Sequence, residues 1–125
     1  MPCASREELP LQQITPTYST RMAEWGSMTV GIEAAPAGLD GAADLGDLPG
    51  GRCQAHHWGY MLSGKIKVDY EDGREETISG GQAYYVEPGH KISFLEDSEA
   101  VEFTPTEELK QTLDAVRAST ERNAG

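Results

Sequence analysis

All three histidines of the 125-residue chain, His56, His57 and His90, fall in two short segments, and one of its two cysteines, Cys53, lies just ahead of the first pair. The segments are residues 53–64, CQAHHWGYMLSG, and residues 80–92, GGQAYYVEPGHKI. Thiolate and imidazole together suit zinc, copper or iron, and an imidazole is also the side chain most often used as a general acid or base. Spacing decides which of these groups can act together. Side chains alternate along a strand, so Cys53, Ala55, His57, Gly59 and Met61 share one face and Gln54, His56, Trp58, Tyr60 and Leu62 the other. The first face is small and carries a thiol and an imidazole at i and i+4. The second is bulky and aromatic, suited to packing against another sheet, a helix or a second subunit. Alternation therefore separates the two adjacent histidines, leaving His57 with Cys53 and making His56 a packing or interface residue. Tyr84 and Tyr85 are adjacent as well, so one of them faces inward with its hydroxyl.

Each of these residues also has a purely structural use. A buried cysteine without a base is a small hydrophobe, and an inward tyrosine can be satisfied by backbone. Trp25 and Trp58 read as core or subunit contacts.

The elements that must hold these residues are strands. Residues 1–18 are polar, with Pro2 and Pro10, and read as an N-terminal arm. Met28, Val30 and Ile32 alternate with Thr29 and Gly31 in a half-buried strand, after a bend at Trp25-Gly26. Residues 35–51 form a long loop containing Asp40, Asp44 and Asp47, whose spacing is not that of a calcium-binding loop. Short strands follow over about 53–62, 65–70, 75–79, 83–87, 91–95 and 100–104, with the Asp72-Gly73 pair a strong hairpin signal. Many short strands with regular turns make an antiparallel sandwich or barrel. The period then changes. Leu109, Leu113 and Val116 follow Thr104-Pro105-Thr106-Glu107, which predicts a capped amphipathic helix over 105–120.

Composition limits the partners. A net charge of −11 with only ten Lys and Arg argues against nucleic acid and against an anionic membrane surface. No apolar run approaches the roughly 20 residues that span a bilayer, and the first residues do not form a signal peptide. Two cysteines are too few for a disulfide framework, so the expected compartment is the cytoplasm.

The run from His57 to Val68, HWGYMLSGKIKV, resembles the first motif of the cupin superfamily, and the run from Gly81 to Gly89, GQAYYVEPG, resembles the second. The resemblance covers roughly residues 50–104. It implies an all-β fold: a small, jelly-roll-like antiparallel cupin barrel over 19–104, framed by the arm and the helix in a single domain of residues 1–125, and a homodimer. It also implies where a metal would sit, and there the ligands depart from the family pattern. Counting back from Gly64 puts His57 at the usual glutamate, Cys53 at the second histidine and Gly51 at the first. Counting through the second motif puts Ile92 at the last histidine and Glu87 at the usual proline. The ordinary three-histidine, one-glutamate site is thereby excluded.

Two readings remain open. In one, the barrel binds a small-molecule ligand without the usual three-histidine, one-glutamate metal site, its cavity mouth lined by Cys53, His57, His90 and one of Tyr84 and Tyr85. In the other the chain is an enzyme. It would be either metal-dependent, with zinc, iron or copper held by Cys53, His57 and His90, or a metal-free isomerase or lyase with His57 as its acid or base.

Overall fold

The computed structural model describes residues 3–16, 18–41 and 43–124. Among the described residues nine strands and one helix are formed: β1 (Leu11–Thr15), β2 (Tyr18–Trp25), β3 (Met28–Ala35), β4 (His57–Ser63), β5 (Lys65–Tyr70), β6 (Glu75–Ser79), β7 (Ala83–Val86), β8 (His90–Phe94), β9 (Ser98–Pro105) and α1 (Thr106–Ala124). They make two antiparallel sheets, one in the order β1-β2-β3-β9-β4-β7 and the other β6-β5-β8. Met61 and Val86 of the larger sheet pack with Ile66, Val68, Tyr70 and Ile78 of the smaller, and this cluster is the main core. A sheet that buries one face in this way needs the other sheet to cover it, which is why the chain closes into a two-layer barrel. The all-β barrel with a C-terminal helix is thus as expected from the sequence.

Three details differ from the sequence reading. Residues 11–15, assigned to the arm, form an edge strand paired with β2, with Leu11 opposite Arg21. Leu9 and Ile14 are buried there, so the segment docks through apolar side chains too widely spaced to show a period. The helix begins at Thr106, because Pro105 still belongs to β9 and pairs with Met28, and it runs to Ala124. Residues 53–56 lie outside the named strands, Cys53 making an isolated bridge with His90, and β4 starts at His57.

The long loop is tied to the helix. Arg122 donates to both carboxylate oxygens of Asp47 at 2.8 and 3.0 Å, and the Ser119 hydroxyl donates to Asp44 at 3.2 Å. Beneath these ties, Leu45, Cys53 and Ala55 form a second buried cluster that Leu48 and Val116 pack against. Among the described residues no helix is long and apolar enough to cross a membrane.

Candidate metal centre

Two backbone features bring the donors together. The Pro88-Gly89 turn starts β8 so that His90 lies opposite Cys53, with Cys53 N–H donating to His90 O at 3.1 Å and Gly89 N–H to Cys53 O at 2.8 Å. Four residues on, His57 enters β4 on the same face as Cys53, and its Nε2 lies 3.6 Å from the Cys53 sulfur. The three donor atoms of Cys53, His57 and His90 all lie within 4.8 Å of one another, and all three residues are buried. The rings of His57 and His90 meet edge to face, with centroids 4.9 Å apart.

Hydrogen bonds orient both imidazoles toward the shared space. The His57 Nδ1 lies 2.7 Å from Thr104 Oγ1 and 3.3 Å from Glu102 Oε2, which holds the ring with Nε2 toward the cluster. His90 Nδ1 donates to Glu87 O at 2.7 Å, which leaves Nε2 as the bare nitrogen. That His90 Nε2 is buried and has no hydrogen-bond partner. An unpaired buried acceptor costs about 1–3 kcal/mol, so a native one calls for a reason. Burial pushes both histidines down to about 4, with His57 adding to the effect on His90, so both are neutral near pH 7 as metal ligation requires. Burial also raises the Cys53 thiol, which keeps its proton unless a cation displaces it.

The donor spacing fits an ion. Zn–S of about 2.3 Å and Zn–N of about 2.0 Å at a tetrahedral angle separate sulfur and nitrogen by about 3.5 Å. The 3.6 Å between the Cys53 sulfur and His57 Nε2 matches that separation. A cleft of about 480 Å³ lies elsewhere, between α1 and β2, lined by residues such as Met22, Thr29, Leu113 and Arg117 and by none of the three donors.

Of the tyrosines, Tyr84 faces inward and Tyr85 faces out. Tyr85 is stacked on Trp58 at 5.2 Å and is 43% exposed, away from the three buried donors. The Tyr84 hydroxyl donates to Glu102 Oε1 at 2.8 Å. Gly59 makes room for this: a Cβ there would meet the Tyr84 hydroxyl and ring at 2.5 Å. His56 lies outside, its Nδ1 2.7 Å from Glu108 Oε1, and its backbone N–H donates to the same oxygen at 2.9 Å.

The sequence reading missed the residues behind the donors. Glu102 and Glu33 are on the inward side of β9 and β3, and burial with mutual repulsion pushes Glu33 up to about 8, while burial pushes Glu102 up to about 7. Glu33 keeps some contact with solvent, which softens its shift. With burial raising Glu102 and lowering His57, their 3.3 Å contact is not a pair of full charges near pH 7. A line of contacts thus runs from Tyr84 through Glu102 to His57 and the donor cluster.

These shifts set a pH dependence for the metal-free protein. The raised carboxyls hold protons that the unfolded chain has released, so their contribution is full below the ordinary carboxyl value of 4.5 and is lost as pH rises through about 7 and 8. The lowered histidines act in the opposite sense, and their contribution is lost as pH falls from 6.5 toward 4. Thermal melts of chelator-treated protein should peak near pH ~6 and lose on the order of 2 kcal/mol by pH ~8.5. Glu33→Gln should flatten the alkaline side. A melting temperature that climbs steadily to pH ~8.5 would contradict these assignments.

Comparison with known proteins places this geometry. No protein-family model matches the sequence, and no curated protein matches it either. Solved structures do. An RmlC-like cupin from Shewanella frigidimarina NCIMB 400 superposes with a TM-score of 0.62 at 14% identity, over 84% of this chain and 91% of that one. The chain has the cupin fold. KdgF from Halomonas sp. gives a TM-score of 0.55 at 20% identity, over 79% of this chain and 90% of KdgF. A formate complex of oxalate decarboxylase from Lactobacillus farciminis gives 0.58 at 16% identity, over 82% of this chain but 32% of the decarboxylase. At these identities the likeness concerns the fold, and the site must be argued from this chain's own residues.

Proposed function

We propose that this cupin is a metal-binding protein whose centre is Cys53, His57 and His90, and that a small molecule is bound or turned over at that metal. The observation that carries the reading is the buried His90 Nε2, which lacks a partner and belongs to a cluster of three donors within 4.8 Å. A metal ion satisfies it. One thiolate and two imidazoles favour Zn²⁺, Co²⁺ or copper over Mg²⁺ and Mn²⁺, which prefer oxygen donors. Three protein ligands, as in catalytic rather than structural zinc sites, leave a coordination position for water or substrate. A metal in such a position supplies Lewis acidity to a bound oxygen.

The chain's own groups have defined parts in this reading. Thr104 and Glu102 hold the His57 ring at Nδ1, the outer-shell role that carboxylates and hydroxyls play at histidine metal sites. Tyr84 holds Glu102 in place. A reducing compartment, the cytoplasm, would keep Cys53 available as a ligand.

Elemental analysis after reconstitution, on protein purified without a nickel column, tests the reading. About one equivalent of zinc or cobalt per chain is expected, and none in His57→Ala. Wild-type protein that retains no metal after reconstitution with several divalent ions would return the barrel to metal-free ligand binding.

The proposed partner is a second copy of the chain, docked through the outer face of the larger sheet. Phe103, Trp58 and Tyr85 form one cross-strand row there, and Val101, Tyr60 and Ala83 the next. Trp58, Tyr60, Leu62, Tyr85 and Phe103 are each 40–46% exposed. An apolar patch spread over three strands exceeds what scattered surface hydrophobes account for. None of these row residues is charged, so two copies of net charge −11 could meet there without opposing carboxylates. Light scattering on a sizing column should give a dimer, and Trp58→Glu with Tyr60→Glu a folded monomer. A monomeric wild type at tens of micromolar would remove the proposal.

A further inference from the structure

Helix α1 turns one stripe toward the donor cluster. Glu108, Thr112 and Val116 are spaced four apart and so lie on one face. Glu108 grips both the backbone and the ring of His56, and Val116 packs on the small cluster that contains Cys53 and Ala55. Between them, Thr112 Oγ1 lies 3.3 Å from the Cys53 sulfur. A threonine within a helix often turns its hydroxyl back to the carbonyl four residues earlier. This one is at hydrogen-bond distance from the one sulfur in the cluster.

We infer that the Thr112 hydroxyl is a positioning group for the metal-bound Cys53 thiolate, donating a hydrogen bond to the sulfur. The inference rests on the Cys53, His57 and His90 centre proposed above. In this role α1 is part of the centre's outer shell: His57 is held from the sheet by Thr104 and Glu102, His90 from its own turn by Glu87 O, and Cys53 from the helix by Thr112. Each of the three ligands then has at least one fixed partner, which is the arrangement that orients ligands before a metal arrives. A donated hydrogen bond lowers the energy of the sulfur lone pairs. It therefore raises the energy needed to move an electron from sulfur to metal, and its removal moves that absorption to longer wavelength.

Titration of the full chain with Co²⁺ in Thr112→Val and Thr112→Ser variants tests this role. Valine keeps the shape and loses the hydroxyl; serine keeps the hydroxyl. Thr112→Val should weaken Co²⁺ binding about 10-fold, the lower end of the range for lost outer-shell partners, and shift the sulfur-to-cobalt band to longer wavelength. Thr112→Ser should return both toward wild type. An unmoved band and affinity in Thr112→Val would overturn the role of Thr112 while leaving the centre intact. Equal changes in both variants would also overturn it, since packing alone would then be responsible. A wild type with no sulfur-to-cobalt band would overturn the centre itself, and this role with it.

Discussion

His90→Leu is expected to weaken Zn²⁺ or Co²⁺ binding by roughly 100- to 1,000-fold while leaving the metal-free fold nearly as stable as wild type. The size follows from sharing the ~10–16 kcal/mol of a tightly held zinc among its ligands, so that each is worth about 3–4 kcal/mol. The second half of the expectation separates the centre from ordinary core packing. In the absence of metal, His90 brings an unpartnered buried nitrogen to the interior, and its one side-chain bond goes to Glu87 O. Leucine removes the orphan at the cost of that bond, and the two effects are each about 1–2 kcal/mol and of opposite sign. His57→Ala should lose metal to a similar degree but also stability, because it strips Thr104 and Glu102 of a buried partner. Competition with a chromophoric chelator measures the first quantity and chemical denaturation of chelated protein the second. Equal metal affinity in wild type and His90→Leu would remove His90 from the centre.

Gly64→Ala is expected to be the most damaging single-methyl change in the barrel, costing about 4 kcal/mol or more and leaving little soluble protein. Gly64 joins β4 to β5, where the chain passes from the larger sheet to the smaller. It has φ of 88°, and a Cβ there would lie 2.3 Å from Asp97 O and 2.6 Å from Ser98 Cα. Backbone atoms cannot yield as a side-chain tip can. Gly73 provides the comparison. Its φ is 94° but nothing lies within 4 Å of its Cβ position, so Gly73→Ala should carry only the left-handed backbone penalty of about 1–2 kcal/mol. If the two variants melt together, the close approach at Gly64 has no energetic weight.

The fold was legible because turn residues and period agree along most of the barrel. The Asp72-Gly73 hairpin, the Ser63-Gly64 crossing and the Pro88-Gly89 turn all stand where the sequence signals them. Parity was enough to put Cys53 and His57 together and His56 apart, and the 3.6 Å contact and the Glu108 clamp bear this out. The same parity argument fails for Glu102. Val101 and Phe103 look like core residues and Glu102 like a surface one, yet the outer face is the apolar one and Glu102 points in. A sheet with apolar residues on both faces gives no sign of which side is the interior. Thr112 was hidden for a different reason. Its partner is 59 residues away, and helix docking onto a barrel has no local signal.

A Co²⁺ titration of the wild-type chain, set against Cys53→Ser, tests the central claim most directly. The account predicts one equivalent of cobalt, the visible bands of a low-symmetry, four-coordinate ion, and a near-ultraviolet sulfur-to-cobalt band that is absent in Cys53→Ser. Cobalt that fails to bind, or that binds with the same spectrum in the two proteins, would contradict it.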